Sequence, residues 1–441
     1  MKQSIVLFLK NHLPVSILFF LFLFQPREVY SQFANGADIG WLSQMEAQGY
    51  VFNNGSGVQK NCLEILKEKG INALRFRVWV NPTGKYCNKK DVAYMSHRAD
   101  SMGFRVMIDF HLSDWWADPG HQTKPAAWAG HTVAQLDSDV YHHIYEILDT
   151  LKTIDVIPAW VQIGNETNDG MVWEDGRAST HMNNFAAMVL SGYNAVKAVD
   201  TTIQVIVHLS NGHDNAMFRR IFDGLKNNGA KWDIIGMSVY PYWANLSWNT
   251  DDSLALINMK DMIARYQTKV MVAETGSLYN QPTTAYNFLV DLIRKTKSVG
   301  GLGVFYWEPE CYSWQNYQLG AWDPVTKRPT VAMDAFLDTA TTSVNQEKNI
   351  LFYALNIYPN PFNPITTIRY HLSVRSQVSL VVYNLIGQKI RTLVNEERNA
   401  GEFSIQWLGN DDAGRKVVSG VYLVRMIAGG IHKTQKILLV K

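Results

Sequence analysis

The stretch Trp160-Val161-Gln162-Ile163-Gly164-Asn165-Glu166 decides the fold: a short strand-forming run meets a glycine and then delivers an amide and a carboxylate. A carboxylate straight after a buried strand is costly unless the strand ends at a site that uses it. The same shape recurs along the chain. Candidate strands run from Ala34 to Ala37, Asn72 to Val80, Arg105 to Phe110, Trp160 to Ile163, Ile203 to Val207, Ile234 to Tyr240, Val270 to Ala273 and Gly303 to Tyr306. After the first, they end in Arg75 and Arg77 with Trp79, then His111, Asn165-Glu166, His208, Tyr240, Glu274 and Trp307. Helical patterns separate them, such as Val58 to Lys69, with Cys62, Ile65, Leu66 and Lys69 on one face, and Tyr286 to Ser298. Alternating strands and helices give an α/β fold, a (β/α)8 TIM barrel over residues 32–340. In such a barrel the carboxyl ends of the strands build the active site.

The 441 residues exceed a typical barrel of about 250 residues and leave room for a second unit. Hydrophobic residues make up 47% and charged residues 18%, and the formal net charge of +2 offers no field for gripping a polyanion, so nucleic acid is excluded as a partner. The 14 Trp, 20 Tyr and 19 Phe suit sugar rings, whose C–H faces dock on aromatic faces, although any single ring can equally be core.

The start of the chain carries Lys2 and Lys10, an apolar run from Val15 to Phe24, and the small Ser31. Residues 1–31 therefore read as a signal peptide, too short in its apolar run for a stable membrane span, and imply secretion or surface display. An oxidising destination makes Cys62, Cys87 and Cys311 relevant. A Cys62–Cys87 bridge near the start of adjacent helices is the favoured pairing, with three free buried thiols as the alternative. A polar linker occupies 341–354. From 355 to 441 the chain changes to short alternating strands, Thr367 to Leu372, Gln377 to Tyr383, Phe403 to Trp407 and Gly420 to Met426, with turns such as Gly409-Asn410-Asp411-Asp412. That is a small all-β sandwich, and it lacks a cluster of His, Cys or carboxylates for catalysis.

Two strand-end carboxylates stand out. Glu166 follows the fourth strand and Glu274 the seventh, on opposite sides of a closed barrel's mouth. Glycosidic cleavage needs a proton for the leaving oxygen and a group to stabilise the positive anomeric carbon, and a carboxyl pair supplies both; retention needs the two roughly 5 Å apart. Glu166 is the expected acid and Glu274 the ionised partner, held so by Arg75 and Arg77 if these point inward. Because residues two apart share a face, a bulge or strand end is expected to separate the two arginines' roles. Asn165 is placed to donate to the sugar 2-hydroxyl. A strand-end Glu can also cap a helix or pair with an arginine, but two at opposed strands favour chemistry. His111 and His121 lack a carboxylate at ligand spacing in a recognisable motif, so neither a metal site nor a cofactor is expected.

Several segments resemble one family. Gly36-Ala37-Asp38-Ile39-Gly40-Trp41, Arg75-Phe76-Arg77-Val78-Trp79-Val80-Asn81-Pro82, Asp109-Phe110-His111-Leu112-Ser113-Asp114, Trp116-Ala117-Asp118-Pro119-Gly120-His121-Gln122, Gly164-Asn165-Glu166 and Ala273-Glu274-Thr275 resemble glycoside hydrolase family 53, the arabinogalactan endo-β-1,4-galactanases. The resemblance implies retaining hydrolysis of the β-1,4-galactan of pectin, with Glu166 as acid/base and Glu274 as nucleophile. It implies substrate contacts from Asp38, Arg75, His111, Trp116, Asp118, Pro119, Gly120, His121, Asn165, His208, Tyr240 and Trp307, with Trp322 as a distal platform. Some bacterial members carry a calcium loop after the nucleophile strand; here Leu278-Tyr279-Asn280-Gln281-Pro282-Thr283-Thr284 lacks its carboxylates, so that site is not expected. The C-terminal segments Tyr358-Pro359-Asn360-Pro361-Phe362-Asn363-Pro364, Val382-Tyr383-Asn384-Leu385-Ile386-Gly387 and Ser419-Gly420-Val421-Tyr422-Leu423 resemble the sorting domain of the type IX secretion system, whose machinery is then a partner. A fibronectin-like spacer or a carbohydrate-binding module is the competing reading of that unit. For the barrel the rivals are a mannanase, cellulase or xylanase of the same clan and a non-catalytic glycan-binding protein.

Overall fold

The computed structural model describes residues 32–340, 355–372, 375–399, 401–428 and 431–440. The readings of 1–31 as a signal peptide and of 341–354 as a linker lie outside the described residues. The described chain divides into two compact units, one on each side of that second gap.

The first unit is a closed barrel of eight parallel strands: β1 (Ala34–Asp38), β2 (Ala73–Trp79), β3 (Arg105–His111), β4 (Trp160–Ile163), β5 (Gln204–Leu209), β6 (Ile234–Val239), β7 (Lys269–Thr275) and β8 (Gly303–Trp307). β1 pairs with both β2 and β8 and so closes the ring. Helices pack outside, and their sequences explain them. Val133–Thr153 opens with Thr132 and Gln135 in a reciprocal capping box and buries Leu136, Val140, Ile144, Ile147, Leu148 and Leu151, the three-and-four spacing of one helical face. Pro282, which needs no donor in the first turn, starts Pro282–Ser298 four residues before the expected Tyr286. The helix expected from Val58 spans only Cys62–Glu68, because Gln59–Lys60 pairs with Phe52–Asn53 as a short ribbon and Asn61 caps the helix by accepting from Leu63 N–H.

The barrel interior is layered. One residue from each strand, Ala34, Ala73, Met107, Trp160, Ile206, Ile234, Met271 and Phe305, makes an apolar plug toward the strands' amino ends. The next inward positions carry Arg75, Asp109, Gln162 and His208, all fully buried. Burying these groups in contact with one another is the condition under which a barrel can hold charge. All three cysteines are free and buried, so the expected Cys62–Cys87 bridge is corrected. Cys62 faces the apolar core, whereas Cys87 turns its Sγ toward Gly40 O at 3.6 Å.

The second unit has seven antiparallel strands among its described residues: β9 (Leu355–Tyr358), β10 (Thr366–Leu372), β11 (Ser376–Asn384), β12 (Lys389–Arg398), β13 (Gly401–Trp407), β14 (Gly420–Ala428) and β15 (Ile431–Leu439). They form one sheet in the order β9-β10-β13 and another in the order β12-β11-β14-β15. Ile368, Leu372 and Trp407 of the first sheet share a core with Leu380, Val382, Val424 and Ile437 of the second. The expected sandwich is present, with β9, β12 and β15 added.

Candidate active site

A cleft of about 600 Å³ opens at the carboxyl ends of the barrel strands. Both Glu166 and Glu274 line it. Each is aimed by a local departure from regular strand geometry. On β7, Met271 belongs to the inward plug, so strict alternation would send Glu274 outward. The pairing with β6 skips Ala273, with Met237 opposite Val272 and Ser238 opposite Glu274, and this bulge returns Glu274 to the interior. After β4, Gly164 and Glu166 both take left-handed backbone conformations, with φ of 73° and 46°. A Cβ at Gly164 would lie 2.5 Å from Thr167 Cγ2, so the turn admits only glycine there. The strained Glu166 backbone is characteristic of residues fixed by a site rather than by propensity.

A single guanidinium organises the floor. Arg75 Nη1 meets Asp38 Oδ2 at 2.6 Å, and Nη2 meets Asp109 Oδ2 at 2.9 Å and Glu274 Oε1 at 2.8 Å. Nη2 also donates to Gln162 Oε1 and to Asn165 Oδ1, at 3.1 and 3.0 Å. Arg77 also points inward, but it pairs with Glu308 at 2.6 Å and stacks 4.4 Å from the Trp116 ring. The two arginines therefore share a face and both reach Asp38, Arg77 at 3.4 Å, while Glu274 falls to Arg75 and Glu308 to Arg77; the bulge expected between them occurs on β7 instead.

The environments of the two glutamates differ in their contacts. Burial pushes both carboxyls above the ordinary range; the Ser238 hydroxyl and Arg75 counter it at Glu166, Arg75 counters it at Glu274, and Glu166 in turn repels Glu274. Glu274 has a cation in contact and a second donor, Tyr240 Oη, at 3.3 Å. Burial and the neighbouring Glu274 carboxylate hold the Tyr240 phenol well above its ordinary value, so it stays a donor. Glu166 has only the hydroxyl of Ser238, 2.6 Å from Oε1. Two neighbouring carboxyls raised in this way share a proton near neutral pH, and only Glu274 has a guanidinium in direct contact.

Behind Glu166 lies a neutral relay. His208 Nδ1 lies 3.1 Å from Asn165 Oδ1 and 3.4 Å from Glu166 N, its Nε2 lies 2.9 Å from Ser238 Oγ, and Ser238 donates onward to Glu166. Burial, with Arg75 nearby, holds His208 well below its ordinary pKa and so keeps it neutral. His111 is fixed similarly: Ala117 N–H donates to its Nδ1 at 3.1 Å, and Nε2–H donates to Asp109 at 2.8 Å.

Of the residues named from sequence, His111, Trp116, Asp118, Pro119, Asn165, Glu166, Tyr240, Glu274 and Trp307 line the cleft. Asp38, Arg75 and His208 are fully buried and lie outside the cleft lining; Arg75 contacts Asp38, Asp109 and Glu274, and His208 contacts Asn165 and Ser238. Asn165 accepts from Arg75 and donates from Nδ2 to Ala117 O at 2.8 Å, which fixes its orientation at the cleft wall. Gly120 and His121 share a turn with Asp118, where His121 Nδ1 lies 3.0 Å from Asp118 Oδ1, but they stand outside the cleft lining. Trp322 is fully buried and borders a second, smaller hollow beside Tyr279, Asn280 and Gln318 rather than the main cleft. Sequence reasoning missed Trp41, Ser210, Asn211, His213, Ser238, Trp243, Gln315 and Tyr317, all in the lining. Trp41 is legible in hindsight from its place just past β1; the others carry no motif of their own. Among the described residues, no group of three or more His, Cys, Asp or Glu could hold a metal ion, and no helix is long and apolar enough to cross a membrane.

The family model for glycosyl hydrolase family 53 matches residues 34–284, and one for the FlgD Ig-like domain matches 365–430. An Aspergillus terreus protein named "Probable arabinogalactan endo-beta-1,4-galactanase A" is 34% identical over 305 residues, 62% of this chain and 84% of the relative. The Ignisphaera aggregans GH53 catalytic domain superposes with a TM-score of 0.63 at 28% identity, covering 70% of this chain and 97% of that one. A structure from a study of two fungal beta-1,4-galactanases gives the same TM-score of 0.63 at 26% identity, covering 68% and 98%.

Proposed function

The chain belongs to glycosyl hydrolase family 53, and from that premise we propose that it is a retaining endo-β-1,4-galactanase in which Glu166 is the acid/base and Glu274 the nucleophile. The observation that carries the assignment of roles is asymmetric contact: Arg75 touches Glu274 at 2.8 Å, while Glu166 has a hydroxyl and no cation. In the first step Glu274 attacks the anomeric carbon as the Glu166 proton passes to the departing sugar oxygen, leaving a glycosyl ester on Glu274. In the second, Glu166, now a carboxylate, takes a proton from water, whose oxygen displaces Glu274 from the same carbon. Tyr240 and Arg75 hold the Glu274 carboxylate in line, and Trp41, Trp116 and Trp307 offer apolar faces around the sugar.

Galactan as substrate is supported by the galactanase names of the relatives. A panel of potato galactan, arabinogalactan, mannan and carboxymethylcellulose tests it. Galacto-oligosaccharides released from the galactans alone are expected, and activity on mannan alone would overturn the substrate assignment.

The same proposal takes residues 1–31 as an export signal and 355–441 as a type IX sorting domain, supported by the Tyr358 to Pro364 motif and the two-sheet architecture. In a host with that secretion system, the whole chain should reach the surface or medium and a chain ending at residue 354 should not. Equal export of both would remove the sorting role.

A further inference from the structure

Arg77 has no part in the mechanism above, yet it lies fully buried behind the aromatic wall of the cleft. Its guanidinium carbon is 4.4 Å from the ring centroid of Trp116, 5.4 Å from that of Trp41, 5.8 Å from that of Trp307 and 5.9 Å from that of Trp79. Trp41, Trp116 and Trp307 line the cleft. They come from three places round the barrel, just past β1, in the loop after β3 and at the end of β8, and Arg77 stands among them on β2. The rings meet edge to face: Trp41 with Trp307 at 4.8 Å, Trp41 with Trp116 at 5.9 Å and Trp79 with Trp116 at 5.3 Å. Edge-to-face packing leaves electron-rich faces, and a planar cation is a group that satisfies them.

The cation is itself fixed from behind. Its Nη1 meets Glu308 Oε1 at 2.6 Å and Asp38 Oδ1 at 3.4 Å. Nε and Nη2 have no hydrogen-bond partner among the described residues, so for that part of the group the rings are the compensation for burial. Glu308 Oε1 also accepts from Trp41 N–H at 3.0 Å, and Glu308 directly follows Trp307 in the chain. One carboxylate thus ties the cation to two of the rings it supports. The fit is close, since a Cβ at Gly40 would lie 2.5 Å from Arg77 Nη1.

Resting on the reading of the cleft as a galactan site, we propose that Arg77 is a positioning residue for substrate: anchored by Glu308, it fixes Trp41, Trp116 and Trp307 as one rigid aromatic cradle. Galactosyl units then meet faces already in place, and pre-formed faces spare a ligand the cost of ordering them. Lysine, a point charge on a flexible stem, can meet Glu308 but cannot present a plane to several rings.

The test uses the full chain carrying Glu274→Gln, in which calorimetry with galactotetraose reads binding without turnover. Adding Arg77→Lys should weaken binding by about tenfold, the scale of one displaced aromatic contact. Glu308→Gln, whose oxygen can still accept from both Trp41 N–H and Arg77, should bind within about twofold of the parent, whereas Glu308→Ala should lose as much as Arg77→Lys. With Glu274 intact, Arg77→Lys should raise KM on galactan more than it lowers kcat. Both limbs of its pH profile should stay in place, because Arg75 and Ser238 are the groups in contact with the carboxyl pair. Near-ultraviolet circular dichroism, which reports the coupling of packed indoles, needs no substrate: Arg77→Lys and Glu308→Ala should change it and Glu308→Gln should not. Unchanged affinity in Arg77→Lys, or a loss that comes with shifted pH limbs at constant KM, would overturn the positioning role. If Arg77→Lys fails to fold, the contrast between Glu308→Gln and Glu308→Ala decides the same question, and equal binding by the two would overturn it. If the unsubstituted protein neither binds galactotetraose nor cleaves galactan, the galactanase reading fails; the indole spectrum still decides the role of Arg77, and no change in Arg77→Lys would overturn it.

Discussion

Ser238→Ala isolates the control of the acid. Ser238 Oγ donates to Glu166 Oε1 over 2.6 Å, and the serine is almost wholly buried. The donation favours the ionised form, so removing it makes Glu166 hold its proton more tightly. A hydrogen bond to a charged group contributes about 1.5–3 kcal/mol, and about 1.4 kcal/mol corresponds to a tenfold change in ionisation, so the basic limb of the kcat/KM profile should move up by roughly one to two pH units. The acid limb, which follows protonation of the Arg75-bound Glu274, should move far less. The substitution also leaves the buried His208 Nε2 without its partner, at a cost of about 1–3 kcal/mol of stability. The assay is the pH dependence of kcat/KM on galactan, run beside galactobiosyl fluoride, whose departure needs no acid and should show no such basic limb. A basic limb that stays in place or moves down would refute the reasoning, because it would mean that Ser238 does not hold the Glu166 carboxylate.

Other perturbations follow from the same geometry. Glu274→Gln, which keeps the shape but removes the nucleophile, should abolish turnover while oligosaccharide binding stays measurable by calorimetry; a fully active variant would refute the assignment. Glu166→Ala should still form the glycosyl-enzyme from activated aryl galactosides, with azide restoring turnover as the small nucleophile that needs no base, and an absence of rescue would count against its acid/base role. Trp160→Ala removes the largest fully buried side chain of the apolar plug and should destabilise the barrel by about 3–5 kcal/mol in urea unfolding, well beyond a surface substitution.

The barrel was legible because its eight strands each show an apolar core run, and most end in groups that a core would reject. Trp160 to Ile163 has the bounds read from sequence; β1, β3, β5, β7 and β8 run one or two residues past their expected carboxyl ends, where pairing continues beyond the apolar run, whereas β2 and β6 stop one residue short. What periodicity hides is a change of parity. The bulge at Ala273 turns Glu274 inward against strict alternation, and nothing in Val272-Ala273-Glu274 announces it. Ser238 was equally hidden, since a serine on a strand acquires its role only through Glu166, 72 residues distant. In the second unit β12 escaped notice because its sequence, Lys-Ile-Arg-Thr-Leu-Val-Asn-Glu-Glu-Arg, buries only Val394 and so lacks the alternation of a half-buried strand.

The identity of the nucleophile is tested most directly by trapping it. A 2-deoxy-2-fluoro-β-galactobiosyl fluoride keeps a good leaving group while its 2-fluorine destabilises the positive charge that develops in both steps, so the ester accumulates. Peptide mass spectrometry should then find the fluorogalactobiosyl group on Glu274 and on no other residue. A label on a different carboxylate, or no label from an enzyme that cleaves galactan, would contradict the account.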